Sequence, residues 1–192
     1  MALALLPAAC ARSERSQERI VSALFDELGW PSAGSFVEFG YISERSGNTD
    51  VFRNERNWTG VLFDGRPRST VSEATRAILH QAFISSESVV ELFRRHGVRR
   101  DVSYVSIDLD SADLWVLRAL LFSEFRPRVV GVEYNSNYPP GYTIAFPNPP
   151  WEPPSHERSA RWGGGCYFGS GAAAIELVAR EAGEYAACPS GL

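Results

Sequence analysis

The sequence lacks the features of several large protein classes. Its three cysteines, Cys10, Cys166 and Cys188, lie far apart among 192 residues, and no Cys-x-x-Cys pair occurs. This odd number and wide spacing disfavour a disulfide scaffold or a zinc site and are typical of a reduced, cytoplasmic protein. No stretch approaches the ~20 consecutive apolar residues of a membrane-spanning helix, so we expect no membrane partner. Basic residues form no cluster and the net charge is −4, which disfavours nucleic acid as a partner.

Two common active-site motifs are also absent. Without Gly-x-x-x-x-Gly-Lys-Ser/Thr the chain has no P-loop for nucleotides, and without Gly-x-Ser-x-Gly a serine hydrolase has no support. Gly40 and Gly47 are too widely spaced for the nest of backbone N–H groups that cradles a phosphate. The sequence therefore disfavours pyrophosphate cofactors such as NAD and remains compatible with a nucleoside that carries no phosphate.

The length and the 44% hydrophobic content predict one domain with one sizeable core, over residues 13–192. The opening MALALLPAAC is apolar, but it is short and has no basic residue before it, so residues 1–12 are predicted to be a flexible tail and not a signal peptide. Seven of the twelve prolines fall within residues 139–154. That density predicts a long loop over residues 139–165, either a lid or binding loop or a disordered insertion.

Short β-rich runs alternate with amphipathic helical patterns along the chain. The clearest runs are SFVEFG (35–40), TGVLFDG (59–65), VSYVSIDLD (102–110) and RVVGVEY (128–134). A further short helix is predicted at 72–80, with a short strand after it at 81–84. The alternation predicts an α/β fold, with a Rossmann-like, doubly wound, mostly parallel sheet and helices on both faces.

Polar residues follow four of the predicted strands, where a parallel α/β sheet binds its ligand. An acid that closes the second strand suits the two hydroxyls of a ribose, because a carboxylate can accept both hydrogen bonds. Singly, each acid is explained as well by a helix cap or a solvated loop, whereas together they favour a nucleoside-containing ligand. The residues are Glu38, Gly40, Asp64, Asp108, Asp110, Glu133 and Asn135.

Three of the acids, Asp108, Asp110 and Asp113, lie within six positions. Their oxygens are the ligand type that Mg²⁺ and Ca²⁺ prefer, so a metal-dependent enzyme is one alternative. Asp110 and Asp113 are explained equally well as residues that cap the following helix and complement its dipole. Asp108 interrupts an apolar strand near its end, where a carboxylate can act as a base or anchor a substrate.

Taken together, the segments FVEFG, NWTGVLFDG, SIDLD, RPRVVGVEYN and YFGS resemble the FkbM-type S-adenosylmethionine-dependent methyltransferases, over roughly residues 35–190. The resemblance implies a methyltransferase-type Rossmann-like fold, S-adenosylmethionine as the cofactor, and methyl transfer to a hydroxyl of a small-molecule or glycan acceptor. It also implies a role for each matching residue. Glu38 and Gly40 would line the methionine side of the cofactor, Asp64 would hold the ribose, and Asp108 would be the catalytic residue. The acceptor pocket would consist of Asp110, Glu133, Asn135, Tyr167 and Ser170.

The chain departs from the family pattern at three places. Ser43 and Glu44 stand where the family has Asp and Gly, and Asp110-Ser111-Ala112-Asp113 replaces a segment that contains glycine and asparagine. The sequence also ends at CPSGL, where relatives continue into a final strand, so the last strand is predicted to be missing. These departures favour a second interpretation, in which the domain is degenerate, without catalysis, and binds a small molecule or a protein partner.

Overall fold

The structure, a computed structural model, describes residues 2–7, 14–41, 47–66, 76–148, 169–183 and 186–188. The strands in these ranges are β1 (Ala2–Pro7), β2 (Ser35–Phe39), β3 (Thr59–Asp64), β4 (Ala77–Gln81), β5 (Tyr104–Ile107), β6 (Val129–Tyr134) and β7 (Ala186–Cys188). The helices are α1 (Glu14–Leu28), α2 (Asp50–Asn54), α3 (Val89–Arg95), α4 (Asp113–Leu121) and α5 (Ala172–Glu181).

All the strands belong to one sheet, in the order β4-β3-β2-β5-β6-β1-β7. Every pairing between neighbouring strands is parallel. Consecutive parallel strands need crossover connections, and a described helix lies in each of them except the one from β3 to β4, where residues 67–75 are outside the described residues. The predicted α/β fold with a doubly wound, parallel, Rossmann-like sheet is therefore confirmed.

Successive side chains of the central strands enter two different hydrophobic cores, one on each face of the sheet. In β2, Phe36 belongs to the core beneath α1 and α2, whereas Val37 belongs to the larger core beneath α3, α4 and α5. In β5, Tyr104 and Val105 divide between the two cores in the same way. Strands buried on both faces explain the nearly continuous apolar runs in the sequence. None of the described helices combines the length and apolar character needed to cross a membrane.

The N-terminal residues differ from the prediction. Residues 2–7, predicted as part of a flexible tail, form β1, which pairs with β6 from Ala2↔Val129 to Pro7↔Tyr134. An apolar segment that pairs with β6 removes an open edge of unpaired backbone groups, which proteins normally avoid. On its other side β1 pairs with β7, the last strand within the described residues. The strand predicted to be missing would follow β7, and residues 189–192 lie outside the described residues.

The prediction of a helix at 72–80 is wrong for its described end. Residues Ala77–Gln81 form β4, which pairs with β3 at the outer edge of the sheet. Ile78 is 63% exposed, as expected for an edge strand with one face partly open to solvent. A short apolar run such as AILH does not distinguish a strand from a helix by its periodicity. Pairing with β3 is what makes this segment a strand.

Candidate functional site

The strand order reverses between β2 and β5. From β2 the chain moves outward through β3 to β4, and from β5 it moves in the opposite direction to β6. In an open parallel sheet, ligands bind in the crevice beyond the carboxyl ends of the two strands at such a switch point. Three of the predicted site residues lie at this crevice. Glu38 is next to the last residue of β2, Gly40 follows β2, and Asp108 follows β5.

Gly40 allows the ends of β2 and β5 to approach each other closely. Its φ is +74°, and a Cβ atom at this position would lie 2.0 Å from the main-chain carbonyl oxygen of Asp108. Any other residue would clash with this backbone and would also adopt a left-handed conformation that L side chains rarely occupy. The close approach of the two strand ends therefore explains why position 40 is a glycine, in addition to the cofactor role that the resemblance implies.

Hydrogen bonds connect Glu38 to Asp108. Glu38 is buried, and its two carboxylate oxygens accept hydrogen bonds from the Asn48 backbone N–H (3.0 Å) and the Thr49 hydroxyl (2.5 Å). The Asn48 side-chain amide donates to the Asp108 carboxylate at 3.4 Å. Burial raises the pKa of Glu38 to about 7, and the hydrogen bonds from Thr49 and Asn48 oppose that shift. Residues at the ends of β2 and β5 thus form one polar network.

Asp64 ends β3, the next strand outward from β2. Its buried carboxylate accepts hydrogen bonds from the backbone N–H of Arg66 (2.7 Å) and from the Arg66 guanidinium (3.3 Å). The Arg66 side chain is 56% exposed, so the guanidinium can move into solvent, whereas the Asp64 carboxylate is buried. A ligand that replaces the guanidinium would have to donate hydrogen bonds to this carboxylate in its place.

The structure brings Asp108, Asp110 and Glu133 together, with one carboxylate oxygen of each within 4.8 Å of the others. The last pair in the β5–β6 register is Ile107↔Val132, so Asp108 and Glu133 follow at adjacent strand ends. The pKa of Glu133 is raised to about 9, first by burial and then by the charges of Asp108, Asp113 and Asp110. The spacing is compatible with a divalent cation, but acidic groups of this kind are common without one, and the spacing alone assigns no metal.

Asp113 does not join this group, although the sequence placed it beside Asp108 and Asp110. Its buried carboxylate accepts a hydrogen bond from the Leu109 backbone N–H at 2.7 Å and fixes the turn before α4. Burial raises its pKa to about 8. The capping role predicted for Asp110 is wrong, because the N-cap residue of α4 is Ala112 and no side chain caps the helix. Asp110 instead adopts a left-handed backbone conformation, with φ of 61°.

Asn135 and Ser170 meet beyond the end of β6. The Asn135 backbone N–H donates to the Ser170 carbonyl at 2.8 Å, and the Asn135 side-chain oxygen accepts from the backbone and the side chain of Asn137. Ser170 is fully buried and forms an antiparallel bridge with Ala145. Both residues therefore shape the loop beside the acids. Tyr167, Ser43 and Glu44 lie outside the described residues.

The first part of the proline-rich loop borders a hollow of about 640 Å³, lined by residues 137–139 and 144–147. Three hydrogen bonds hold this wall in place. Phe146 donates its backbone N–H to Gly169 and accepts at its carbonyl from the Trp115 indole, and Ile144 accepts from the backbone N–H of Gly171. We refer to this space as the 137–147 hollow. Residues 149–165 of the predicted loop are outside the described part of the chain.

Sequence reasoning missed Asn48, Thr49 and the hollow. The available signal for the first two was the polar run Gly47-Asn48-Thr49 shortly after β2. A Cβ atom at Gly47 would lie 3.3 Å from a Glu38 carboxylate oxygen, so the run packs closely against the buried acid. The hollow depends on contacts between residues 144–146 and residues 169–171, which no local pattern reveals.

Comparisons of the chain with protein-family models, with curated proteins and with solved structures found no match in any of the three. The resemblance to FkbM-type methyltransferases therefore depends on the sequence motifs alone.

Proposed function

We propose that the protein transfers a methyl group from S-adenosylmethionine to a hydroxyl of a small-molecule or glycan acceptor in the cytoplasm. The observation that carries the proposal is the convergence of Glu38, Gly40, Asn48 and Asp108 at the switch point of a parallel α/β sheet. Such a crevice is where these folds bind nucleoside-containing ligands. The sequence motifs add the choice of ligand, because they resemble an S-adenosylmethionine-dependent family.

The residues at this edge fit the chemical groups of the cofactor. Asp64 presents a carboxylate one strand outward from the crevice and would accept hydrogen bonds from both ribose hydroxyls after the Arg66 side chain moves aside. The carboxylate of Asp108 lies nearer the centre of the sheet and would face a positively charged ligand atom favourably. S-adenosylmethionine supplies an electrophilic methyl group on a positively charged sulfur.

The protein's own contribution would be to position the acceptor and remove its proton. Asp108 would accept the proton of the acceptor hydroxyl, which would activate the oxygen toward the methyl group that the bound cofactor supplies. Asp110 and Glu133, whose oxygens lie within 4.8 Å of Asp108, would orient the hydroxyl. Holding two reactants in contact is worth ~7–11 kcal/mol in favourable cases.

Titration calorimetry of the purified protein with S-adenosylmethionine, and with S-adenosylhomocysteine in parallel, tests the proposal. We expect micromolar binding that weakens at least tenfold in Asp64→Ala. Asp101→Ala is the matched control, because Asp101 also pairs with an arginine two residues away, Arg99, but on an exposed surface. A folded wild-type protein that binds neither compound would refute the proposal.

That result would instead favour the degenerate domain that binds a small molecule or a protein partner. The substitutions Ser43→Asp and Glu44→Gly, made together, distinguish a lost cofactor site from a fold that never had one. S-adenosylmethionine binding that appears only in this double variant would mean that the natural chain has lost the cofactor. Micromolar binding by the wild-type protein would contradict the degenerate interpretation.

A further inference from the structure

The 137–147 hollow has mainly apolar walls. Pro139, Ile144, Phe146 and Pro147 contribute hydrocarbon surface, and Ala145 adds a small apolar side chain. Of the two polar residues in the wall, Asn137 already donates its side-chain amide to the Asn135 side-chain oxygen at 3.0 Å. A ligand rich in hydroxyl groups would find few partners here, and burying a hydroxyl without a hydrogen-bond partner weakens binding. The described wall therefore suits an apolar ligand better than a sugar.

The hollow adjoins the acidic group through a single residue. The Phe146 backbone N–H donates to the Gly169 carbonyl at 2.8 Å, and a Cβ atom at Gly169 would lie 3.7 Å from the main-chain oxygen of Asp110. A carboxylate oxygen of Asp110 in turn lies within 4.8 Å of those of Asp108 and Glu133. The hollow and the acidic group are therefore neighbours, with Gly169 between the Phe146 wall and the Asp110 backbone.

The charge at that end selects against anions. The charges of Asp108 and Asp110, whose carboxylate oxygens lie within 4.8 Å of each other and of Glu133, both contribute to the raised pKa of Glu133. Two negative charges about 4 Å apart repel each other, and more strongly near a protein surface than in water. A carboxylate or phosphate on the ligand would therefore bind poorly beside Asp110, whereas a neutral hydroxyl would donate a hydrogen bond to the acids.

We propose that the methyl acceptor is an apolar, uncharged alcohol or phenol, with its hydrocarbon body in the 137–147 hollow and its hydroxyl directed toward Asp110, Asp108 and Glu133. The inference rests on the proposed function, because only a methyltransferase has a methyl acceptor. It narrows the substrate class from a small molecule or glycan to an apolar small molecule. Because hydrogen bonds with Trp115, Gly169 and Gly171 already hold the wall, little conformational freedom would be lost on binding.

Three probes test the inference on the full-length protein without cofactor: 2-naphthol, its anionic counterpart 2-naphthoate, and methyl glucoside. Binding is measured at neutral pH by titration calorimetry. We expect 2-naphthol to bind at least tenfold more tightly than 2-naphthoate and to bind more tightly than methyl glucoside. Asp110→Asn should reduce the preference for 2-naphthol over 2-naphthoate several-fold, because one of the repelling charges is removed.

A set of variants shows whether the probe occupies the hollow. Ile144→Ser should weaken 2-naphthol binding about tenfold through lost apolar contact, and Ile144→Leu should largely retain it. Phe122→Ser is the control, because Phe122 is an exposed apolar residue outside the hollow. Equal affinity for 2-naphthol and 2-naphthoate, tighter binding of methyl glucoside, or no effect of Ile144→Ser would overturn the inference.

The cofactor titration separates this inference from the proposed function. If S-adenosylmethionine binds in an Asp64-dependent manner but 2-naphthol does not bind, the apolar substrate class is wrong and the methyltransferase proposal stands. If 2-naphthol binds in an Ile144-dependent manner but S-adenosylmethionine does not bind, the hollow is a ligand site and its role as an acceptor site is refuted.

Discussion

Replacement of Asp113 by Asn should stabilise the protein near neutral pH. Burial raises the pKa of Asp113 from 3.8 to about 8, so the folded protein keeps a proton that the unfolded chain has released. The free energy of unfolding therefore falls as the pH rises from about 3.8 to about 8. At 1.36 kcal/mol per pH unit, the loss accumulated by pH 7 is about 4 kcal/mol. Asn carries no charge, and its side-chain oxygen can still accept a hydrogen bond from the Leu109 N–H. At pH 7 the variant should therefore be more stable than the wild type by up to this amount.

Urea denaturation of the wild type and Asp113→Asn at several pH values between about 5 and 8 measures the effect. The difference in unfolding free energy should grow steadily with pH. Glu38 and Glu133, whose pKa values are also raised, lower stability with rising pH in both proteins, so the difference is the informative quantity. Asp101→Asn, at an exposed site, should show a constant difference. Parallel curves for the wild type and Asp113→Asn would refute the reasoning.

Three further predictions concern other parts of the molecule. Asp108→Asn should transfer the methyl group about 10²–10⁴ times more slowly in single-turnover assays at saturating S-adenosylmethionine; an unchanged rate would exclude Asp108 as the base. Gly40→Ala should lower the free energy of unfolding by about 1–3 kcal/mol more than Gly97→Ala, because both have positive φ but only Gly40 faces a carbonyl oxygen at 2.0 Å; equal losses in urea denaturation would contradict the clash. Burial lowers the pKa of both His80 and His96, whose rings lie 3.7 Å apart, and the charge of His96 lowers that of His80 further. The two histidines should therefore reduce stability as the pH falls through 6.5, so the difference in unfolding free energy between the wild type and His80→Gln should decrease with falling pH; a difference that does not change with pH would contradict this.

The central strands were predictable because their side chains must satisfy two cores at once. Phe36 and Val37 in β2, like Tyr104 and Val105 in β5, are apolar in succession since each side of the sheet is covered by helices. The polar residues at the strand ends follow from the same rule, because the carboxyl edge is where a parallel sheet meets its ligand. Local pattern and global fold agree for these elements.

The other elements depend on partners that are distant in sequence. The N-terminal segment becomes β1 only because β6 offers an edge about 125 residues later, as the pair Leu3↔Val130 illustrates. Residues 77–81 become a strand because β3 lies alongside. The acidic group shows the same limitation, since Glu133 joins Asp108 across two adjacent strand ends. Asp113, five residues from Asp108, is instead drawn inward by its bond to Leu109.

The acids at the carboxyl edge of the sheet lower the stability of the folded protein near neutral pH, which favours a functional explanation for their presence. Burial raises the pKa values of Glu38 and Glu133 to about 7 and about 9, so each reduces stability as the pH approaches neutrality. Departures from the most stable choice concentrate where a protein binds or transforms a ligand. In this chain they lie at the switch point of the sheet, beside the 137–147 hollow, where a bound cation or hydroxyl donor would offset the repulsion among the carboxylates.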